Sequence, residues 1–331
     1  MKLTINEIAK MANVAKSTVS KAINGQKGVS EENRRRILKI IKEVNFQPTA
    51  SARALAQNKS GSIGFVLPHS SVSTPSGYYW ASIISSIACE ANKRGNSLSI
   101  ISTQGENDLA MNTLERILQQ KSVDGLIIGA EQISTQEMFS VLSENLPFVF
   151  LGKNRILEHF SVDVDNVEGA YKLTKSLIEQ GKKNIACVTG PIEYEYTQER
   201  VNGFVKAMKE NNLSENKIIN CQYDKNEIYK KTCILIEENP EIDAFFLTAG
   251  EEIVLSVLDA IKAVKGEVAN FVFAAFDDSY LYNYLNCKII SARQPLEKLG
   301  KTAVNMLFDL ISGNEIKNPN QCLNVEIIKH E

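Results

Sequence analysis

Lys16, Ser17, Ser20, Lys21 and Asn24 share one face of a short helical pattern, and their side chains are of the types that meet nucleic acid. Small hydroxyls, an amide and ammonium groups at the start of a helix suit base edges and phosphates in a DNA major groove. Val19 and Ile23 turn the other way, toward a core. The preceding segment must help to supply that core, since its apolar residues at 5, 8, 9 and 12 recur at helical spacing. Thr4 followed by Glu7 has the spacing of a capping box. Asn13 tolerates the left-handed backbone of a tight turn between helices. The pattern predicts a helix-turn-helix. Ser30 caps a third helix, with Glu31 and Glu32 at its positive end. Ile37, Ile40, Ile41 and Val44 form its buried stripe, and Pro48 stops it. The Ala-rich stretch from Thr49 to Ala56 can form a helix but offers little apolar surface. Helices this short are marginal in water, so this one needs DNA or a second copy as a partner.

Charge divides the chain at the same place. Residues 1–60 carry twelve Lys and Arg against four Asp and Glu, a net of +8. The remaining 25 basic and 35 acidic residues leave the rest at −10, which reproduces the overall −2. A near-neutral total thus hides a basic head on an acidic body, and the head is the nucleic-acid candidate. The 331 residues suffice for two or three compact units. Cys89, Cys187, Cys221, Cys233, Cys287 and Cys322 are scattered, with no C-x-x-C, and read as core thiols in a reducing compartment. His69, His159 and His330 are too far apart to form a ligand set, so neither metal nor cofactor is expected. No leader pattern opens the chain and no apolar run approaches the roughly 18 residues of a membrane span. A cytoplasmic protein with no membrane partner is expected.

Asn58 to Ser62 is a polar junction, after which short apolar runs alternate with longer helical patterns. Strands are expected at 63–67, 98–102, 125–129 and 148–151, with helices over 79–94 and 109–120. The rhythm repeats beyond residue 160, with strands near 185–189, 218–221, 244–248 and 271–276. Near-continuous apolar strands joined by helices imply parallel sheets covered on both faces. Two such sets imply two similar subdomains with a cleft beyond the carboxyl ends of the strands. The polar residues at those ends are His69 to Thr74, Thr103, Tyr194 to Arg200, Gly250-Glu251, Asp277-Asp278 and Arg293-Gln294. Arg200, Asp277 and Arg293 suit the orientation of a small polar ligand, and Tyr79, Trp80, Tyr196 and Tyr223 suit stacking on it.

The N-terminal block, Phe46-Gln47-Pro48 and Ser51 to Ala56 resemble the lactose/galactose repressor (LacI/GalR) family. So do Val123 to Ile128, Val164 to Ala170, Glu199-Arg200-Val201-Asn202-Gly203-Phe204, Phe276-Asp277-Asp278 and Ala292 to Leu296. The likeness runs in order from residue 3 to the C-terminus. It implies a small all-α helix-turn-helix DNA-binding domain over 1–48 and a hinge helix and linker over 49–61. An α/β periplasmic-binding-protein-like domain over 62–331 would follow, formed by two doubly wound parallel-sheet subdomains split near 160 and again near 290. The resemblance also implies a homodimer on a near-palindromic double-stranded operator. Lys16 and Ser17 would read bases with help from Lys21, and Thr4, Thr18, Ser20, Asn24 and Asn33 would hold phosphates. Leu55 would wedge into the minor groove, as apolar side chains do to kink a duplex, and Arg53 would reach phosphate or groove.

By the same resemblance Arg200 and Asp277 fall where sugar-binding members hold ligand hydroxyls. Tyr79, Trp80, Tyr196, Tyr223 and Glu251 fall at or near pocket positions. Gly129, Gly152 and Gly250 stand where some of those members carry polar contacts, Glu251 replaces an Asp, and Ala15 replaces a Ser cap. The effector expected is a carbohydrate or glycoside, with a nucleoside or other small metabolite as the alternative. No leucine heptad follows Val325 to Glu331, so a dimer is expected rather than a tetramer. A doubly wound enzyme is the first rival, but the chain has no G-x-G-x-x-G, no G-x-x-x-x-G-K-[ST], no G-x-S-x-G and no metal spacing. A ligand receptor without a DNA role is the second, and it leaves the basic head unexplained. The residues leave open whether the effector releases or tightens DNA; repression is the family habit.

Overall fold

The computed structural model describes residues 4–23, 25, 27–44, 46, 59–67, 77–102, 109–129, 135–153 and 159–330. The head is built from three helices, α1 (Ile5–Ala12), α2 (Lys16–Ile23) and α3 (Glu31–Glu43). Thr4 closes the expected capping box: its own N–H donates to Glu7 Oε2 at 2.6 Å, and its Oγ1 accepts from the Glu7 N–H at 3.4 Å. Asn13 takes the left-handed turn at φ 51° and ψ 50°. Ile8, Ala9, Ala12, Val19, Ala22, Ile37 and Phe46 make the core. Two expectations change here. Ala22, not Ile23, is the fully buried partner of Val19 on α2. Of the α3 stripe only Ile37 is buried, because three short helices are too small to cover Ile40, Ile41 and Val44 as well.

The body holds two six-stranded sheets. The first contains β1 (Ser62–Leu67), β2 (Ser97–Ser102), β3 (Leu126–Gly129), β4 (Phe148–Leu151) and β5 (Ser161–Val164), joined by α4 (Gly77–Lys93), α5 (Leu109–Gln119) and α6 (Thr135–Ser143). The chain then crosses at α7 (Asn166–Glu179) into the second sheet. There it forms β6 (Ile185–Thr189), α8 (Glu195–Glu210), β7 (Ile218–Asn220), α9 (Lys225–Glu238), β8 (Ala244–Leu247), α10 (Glu251–Lys265), β9 (Val272–Phe276), a 3₁₀ turn (Tyr280–Tyr284) and β10 (Lys288–Arg293). It returns through α11 (Leu296–Ser312) to β11 (Asn320–Leu323) in the first sheet, and crosses once more to β12 (Glu326–His330) in the second.

The orders are β11-β5-β4-β3-β1-β2 and β12-β10-β9-β8-β6-β7. All recorded pairings are parallel except β10 with β12, which run antiparallel. This is the doubly wound arrangement, repeated. Central strands such as β3, β4, β6, β8 and β9 are buried along their whole length, as sheets covered on both faces require. One apolar cluster runs from Phe65, Ile127 and Val149 in the first subdomain to Phe246 and Ala274 in the second. The thiols depart from expectation. Cys187 and Cys221 are buried, but Cys89 and Cys322 are exposed, one on α4 and the other on edge strand β11.

Candidate functional site

On α2, Lys16, Ser17 and Lys21 are exposed, and Thr18 and Ser20 are half-buried beside Val19. The five residues therefore lie on and beside one solvent-facing surface, at the end of a three-helix unit whose core fixes the helix. Arg34 on α3 braces α2 from behind by donating to the Ala22 carbonyl at 3.4 Å. Thr4 spends its hydroxyl on the capping box with Glu7. Asn33 donates its backbone N–H to Ser30 Oγ, and its Oδ1 accepts from Arg36 at 2.7 Å. Asn24, Arg53 and Leu55 lie outside the described residues, as do His69 to Thr74 and Thr103.

Ala15 sits at the start of α2, where its carbonyl accepts from the N–H groups of Thr18 at 2.9 Å and Val19 at 3.3 Å. It has no side-chain oxygen to offer the remaining first-turn donors. Ala15→Ser is therefore expected to stabilise α2 by about 1 kcal/mol. Hydrogen exchange at the first-turn amides should slow by about fivefold; unchanged exchange would show that another acceptor already serves them.

Residues that follow the second-sheet strands converge on a cavity of about 770 Å³ between the subdomains. Tyr196 and Arg200 come from α8 after β6, Tyr223 follows β7, Gly250 and Glu251 follow β8, Asp277 follows β9, Arg293 ends β10 and Gln294 follows it. Tyr79 and Trp80 reach it from α4 on the opposite wall, together with Ser82 and Ser85, and Glu297 reaches it from α11. Arg200, Asp277, Arg293, Glu251, Tyr79, Trp80, Tyr196 and Tyr223, the eight residues singled out in the sequence as pocket candidates, all line this cavity.

Arg200 is its anchor. The side chain is 5% exposed, its Nε donates to Asn166 Oδ1 at 2.9 Å, and its Nη1 donates to the Thr248 carbonyl at 2.7 Å. The guanidinium lies 3.7 Å from the Phe276 ring centroid and 4.8 Å from that of Tyr196. Both rings favour a cation on their faces. Asp277 Oδ2 stands 3.8 Å from Nη1, too far for a closed hydrogen bond but close enough to stabilise both charges. Asp277 has φ 76°, a region costly for most side chains and less so for Asp. Gln294 donates to its Oδ1. The acid is thus held at the cavity wall, with Oδ1 on Gln294 and Oδ2 beside the Arg200 guanidinium.

Tyr196 and Tyr223 hydroxyls meet at 2.6 Å, and Glu251 accepts from Ser279. Arg293 is half committed elsewhere: its Nε donates to Asp278 at 2.8 Å, so its orientation serves β10 as much as the cavity. Although burial works against its charge, hydrogen bonds from Ser291, Arg293 and His330 hold Asp278 below the usual carboxylate range. His330 contacts Asp278 at 2.8 Å and Ser291 at 3.1 Å.

Sequence reasoning overlooked Asn166 as a working residue. It is 1% exposed, sits at the first crossing between subdomains, and ties Arg200 to Glu199 at 3.1 Å and more loosely to Asp163. Glu199 in turn takes Lys153. Burial pushes the Asp163 carboxyl up to about 6. The only signal in the sequence was Asn166's place in a family motif; nothing there says that it holds an arginine 34 residues away.

Two family models cover nearly the whole chain. One, described as bacterial regulatory proteins of the lacI family, matches residues 4–49; the other, described as periplasmic binding proteins and sugar binding domain of LacI family, matches residues 60–330. The chain belongs to the LacI family. Its relatives in the family include the HTH-type transcriptional repressor PurR of Histophilus somni (strain 2336), 31% identical over 316 residues, with 93% of this chain and 92% of the relative covered. PurR of Aliivibrio salmonicida (strain LFI1238) is 29% identical over 314 residues, with 93% and 92% covered.

Among solved structures, the lac repressor dimer bound to operator and the anti-inducer ONPF superposes with a TM-score of 0.80 at 22% identity, covering 100% of this chain and 99% of that one. The CelR–cellobiose complex superposes at 0.73 and 22%, covering 99% of each chain. At such identities these two carry the fold. As a LacI-family member the chain is a DNA-binding transcriptional repressor, with no enzymatic role among its relatives. Among the described residues no helix is long and apolar enough to cross a membrane.

Proposed function

We propose that this repressor acts as a homodimer on a near-palindromic operator, and that its cleft binds a carbohydrate or glycoside that switches operator affinity. Arg200 and Asp277 carry this reading. A buried guanidinium and a fixed carboxylate on one wall supply paired donors and an acceptor, which neighbouring hydroxyls on one sugar face can satisfy together. The rings of Tyr196, Tyr223 and Trp80 supply apolar surface for the C–H faces of a pyranose. Five carboxylates (Glu251, Glu252, Asp277, Asp278, Glu297) against two guanidiniums (Arg200, Arg293) disfavour an anion. A nucleoside is the second reading, favoured by the flat faces of Tyr196 and Tyr223.

Closure of the cleft on a ligand would rotate one subdomain against the other. That would change how residues 49–61 hold the two heads, and operator affinity would depend on that spacing. The coupling is reciprocal, so operator changes ligand affinity by the same factor.

The test is fluorescence anisotropy on a palindromic duplex with a central C–G step against a scrambled duplex, at two salt concentrations. Glucose, cellobiose, lactose and adenosine are each present or absent. Preference for the palindrome by about a thousandfold is expected, with a sugar moving the curve. Leu55→Ala should cut binding to the palindrome while sparing the salt-sensitive binding to scrambled DNA; equal loss on both would remove Leu55 from the groove. Movement by adenosine alone would replace the first reading with the second.

A further inference from the structure

The linker enters the body at Ser60 and Gly61, and both residues give their backbone amides to one carboxylate. The Ser60 N–H donates to Asp124 Oδ1 at 2.6 Å, and the Gly61 N–H donates to Oδ2 at 2.9 Å. Asp124 lies in the connection between α5 and β3 of the first subdomain, 64 and 63 residues further along the chain. Successive amides aimed at one anion form a small concave nest, and hydrogen bonds to a charged acceptor are about twice as strong as neutral ones. Gly61 makes the nest possible. Its φ of +70° is left-handed backbone that other residues rarely adopt. A Cβ there would meet nothing within 4 Å, so the glycine answers to conformation and not to space.

The captured amides lie outside the sheet. β1 starts at Ser62, where its register with β2 also begins. Backbone bonds already anchor that strand end: the Asp124 N–H donates to the Ser62 carbonyl at 2.7 Å, and the Ser97 N–H donates to the Gly61 carbonyl at 2.9 Å. The Asp124 side chain instead holds the two residues before the strand, the last of the linker over 49–61. The only covalent path from head to body runs through them. α4 of the same subdomain carries Tyr79 and Trp80 into the cleft, so the linker root is fixed to a unit that an effector touches.

We propose that Asp124 is a positioning residue for operator binding: its carboxylate clamps the root of each linker to the first subdomain and so sets the half-site spacing that the dimer accepts. Chain reach gives the size of the effect. An extended residue spans at most about 3.3–3.6 Å, so two freed residues add up to about 7 Å to each linker and about 14 Å to the pair. Two base pairs inserted at the operator centre move one half-site by about 7 Å along the axis and turn it by about a fifth of a turn. A clamped dimer cannot follow that move; a dimer with freed roots can. The inference rests on the reading of a homodimer on a near-palindromic operator and goes beyond it.

Asp124→Ala and Gly61→Val test the clamp from its two sides. The first removes the acceptor; the second keeps the carboxylate but puts a β-branched residue where left-handed backbone is required. Full-length wild type, both variants and the double variant are titrated by anisotropy against an operator that wild type selects from random DNA. The same operator with two added central base pairs, a single half-site and a scrambled duplex are run beside it, with thermal melts. Wild type should prefer the native spacing to the widened one by about a hundredfold or more, since joint engagement of two sites is lost when geometry forbids it. In each variant that preference should shrink to about tenfold or less, with binding to scrambled DNA unchanged. The double variant should match either single one, because both break the same contact.

A folded Asp124→Ala or Gly61→Val that keeps the wild-type preference for spacing would overturn the clamp and leave the dimer reading standing. So would a lowered melting temperature with that preference intact, which would make Asp124 a structural residue only. If Asp124→Ala fails to fold, Gly61→Val decides between the same outcomes. Wild type that binds the single half-site as tightly as the whole operator would overturn the dimer reading, and the clamp with it.

Discussion

Replacement of Arg200 by alanine is expected to abolish effector binding and leave the free head's operator affinity unchanged. The guanidinium offers directed, charged donors to a ligand, and hydrogen bonds to charged groups are worth about 1.5–3 kcal/mol each. The loss of one or two of them weakens binding by about a hundredfold or more. The same side chain also holds the cleft together. Its removal strands Asn166 Oδ1 and the Thr248 carbonyl in a buried setting and exposes the Phe276 face. A destabilisation of about 3 kcal/mol follows, or roughly 6–12 °C in melting temperature for a domain of this size. Arg200→Lys keeps the charge but not the two-directional fork, and should fall between wild type and alanine in both readouts. The measurement is operator anisotropy titrated with the effective sugar, beside calorimetry and a thermal melt. A full response from Arg200→Ala would remove the arginine from the pocket. Lost operator binding in the absence of any effector would mean that head and body are not separable in the way supposed.

How far the sequence spoke can be judged from particular residues. The strands 185–189 and 244–247 were legible because each is an unbroken apolar run, and the residue after such a strand in a doubly wound sheet has nowhere to go but the cleft mouth. That rule brought Tyr196, Arg200, Glu251 and Asp277 to the cavity. β5, β11 and β12 were not legible. They are four or five residues long, and Asp163, Asn320, Gln321 and Lys329 interrupt their apolar character. Two of them are edge strands whose pairing is fixed only by distant chain. The partners of the pocket residues were hidden for the same reason. Asn166 holding Arg200 and Gln294 holding Asp277 are facts of three-dimensional placement. No local spacing encodes them. The head was the opposite case. The cap at Thr4, the turn at Asn13 and the buried face of α1 are set over short stretches of chain and could be read locally, whereas the core position on α2 went to Ala22 rather than Ile23 once α3 packed against it.

The second large effect is expected at Gly203, in the middle of α8. A Cβ added there would meet the Val167 carbonyl oxygen at 2.3 Å, Ala170 Cβ at 2.8 Å and the Tyr171 nitrogen at 2.9 Å. Two of these are backbone atoms of α7 and cannot rotate away, so Gly203→Ala must push the two helices apart. Overpacking usually costs about 1–3 kcal/mol and occasionally more. With helix backbones in direct contact the upper end applies, and a loss of about 3 kcal/mol or more would lower the melting temperature by roughly 6 °C or more. The displacement would also be felt at the site. α8 carries Tyr196 and Arg200, and α7 begins with Asn166, the acceptor that fixes Arg200. Widening the gap between these helices stretches that 2.9 Å hydrogen bond directly. Sugar affinity should therefore drop along with stability, while operator binding by the head without sugar persists below the melting temperature. A thermal melt paired with calorimetry well below the transition separates the two effects. If Gly203→Ala melted like wild type, the close approach of α7 and α8 would be wrong. If it lost stability but bound sugar normally, Asn166 would not be what orients Arg200.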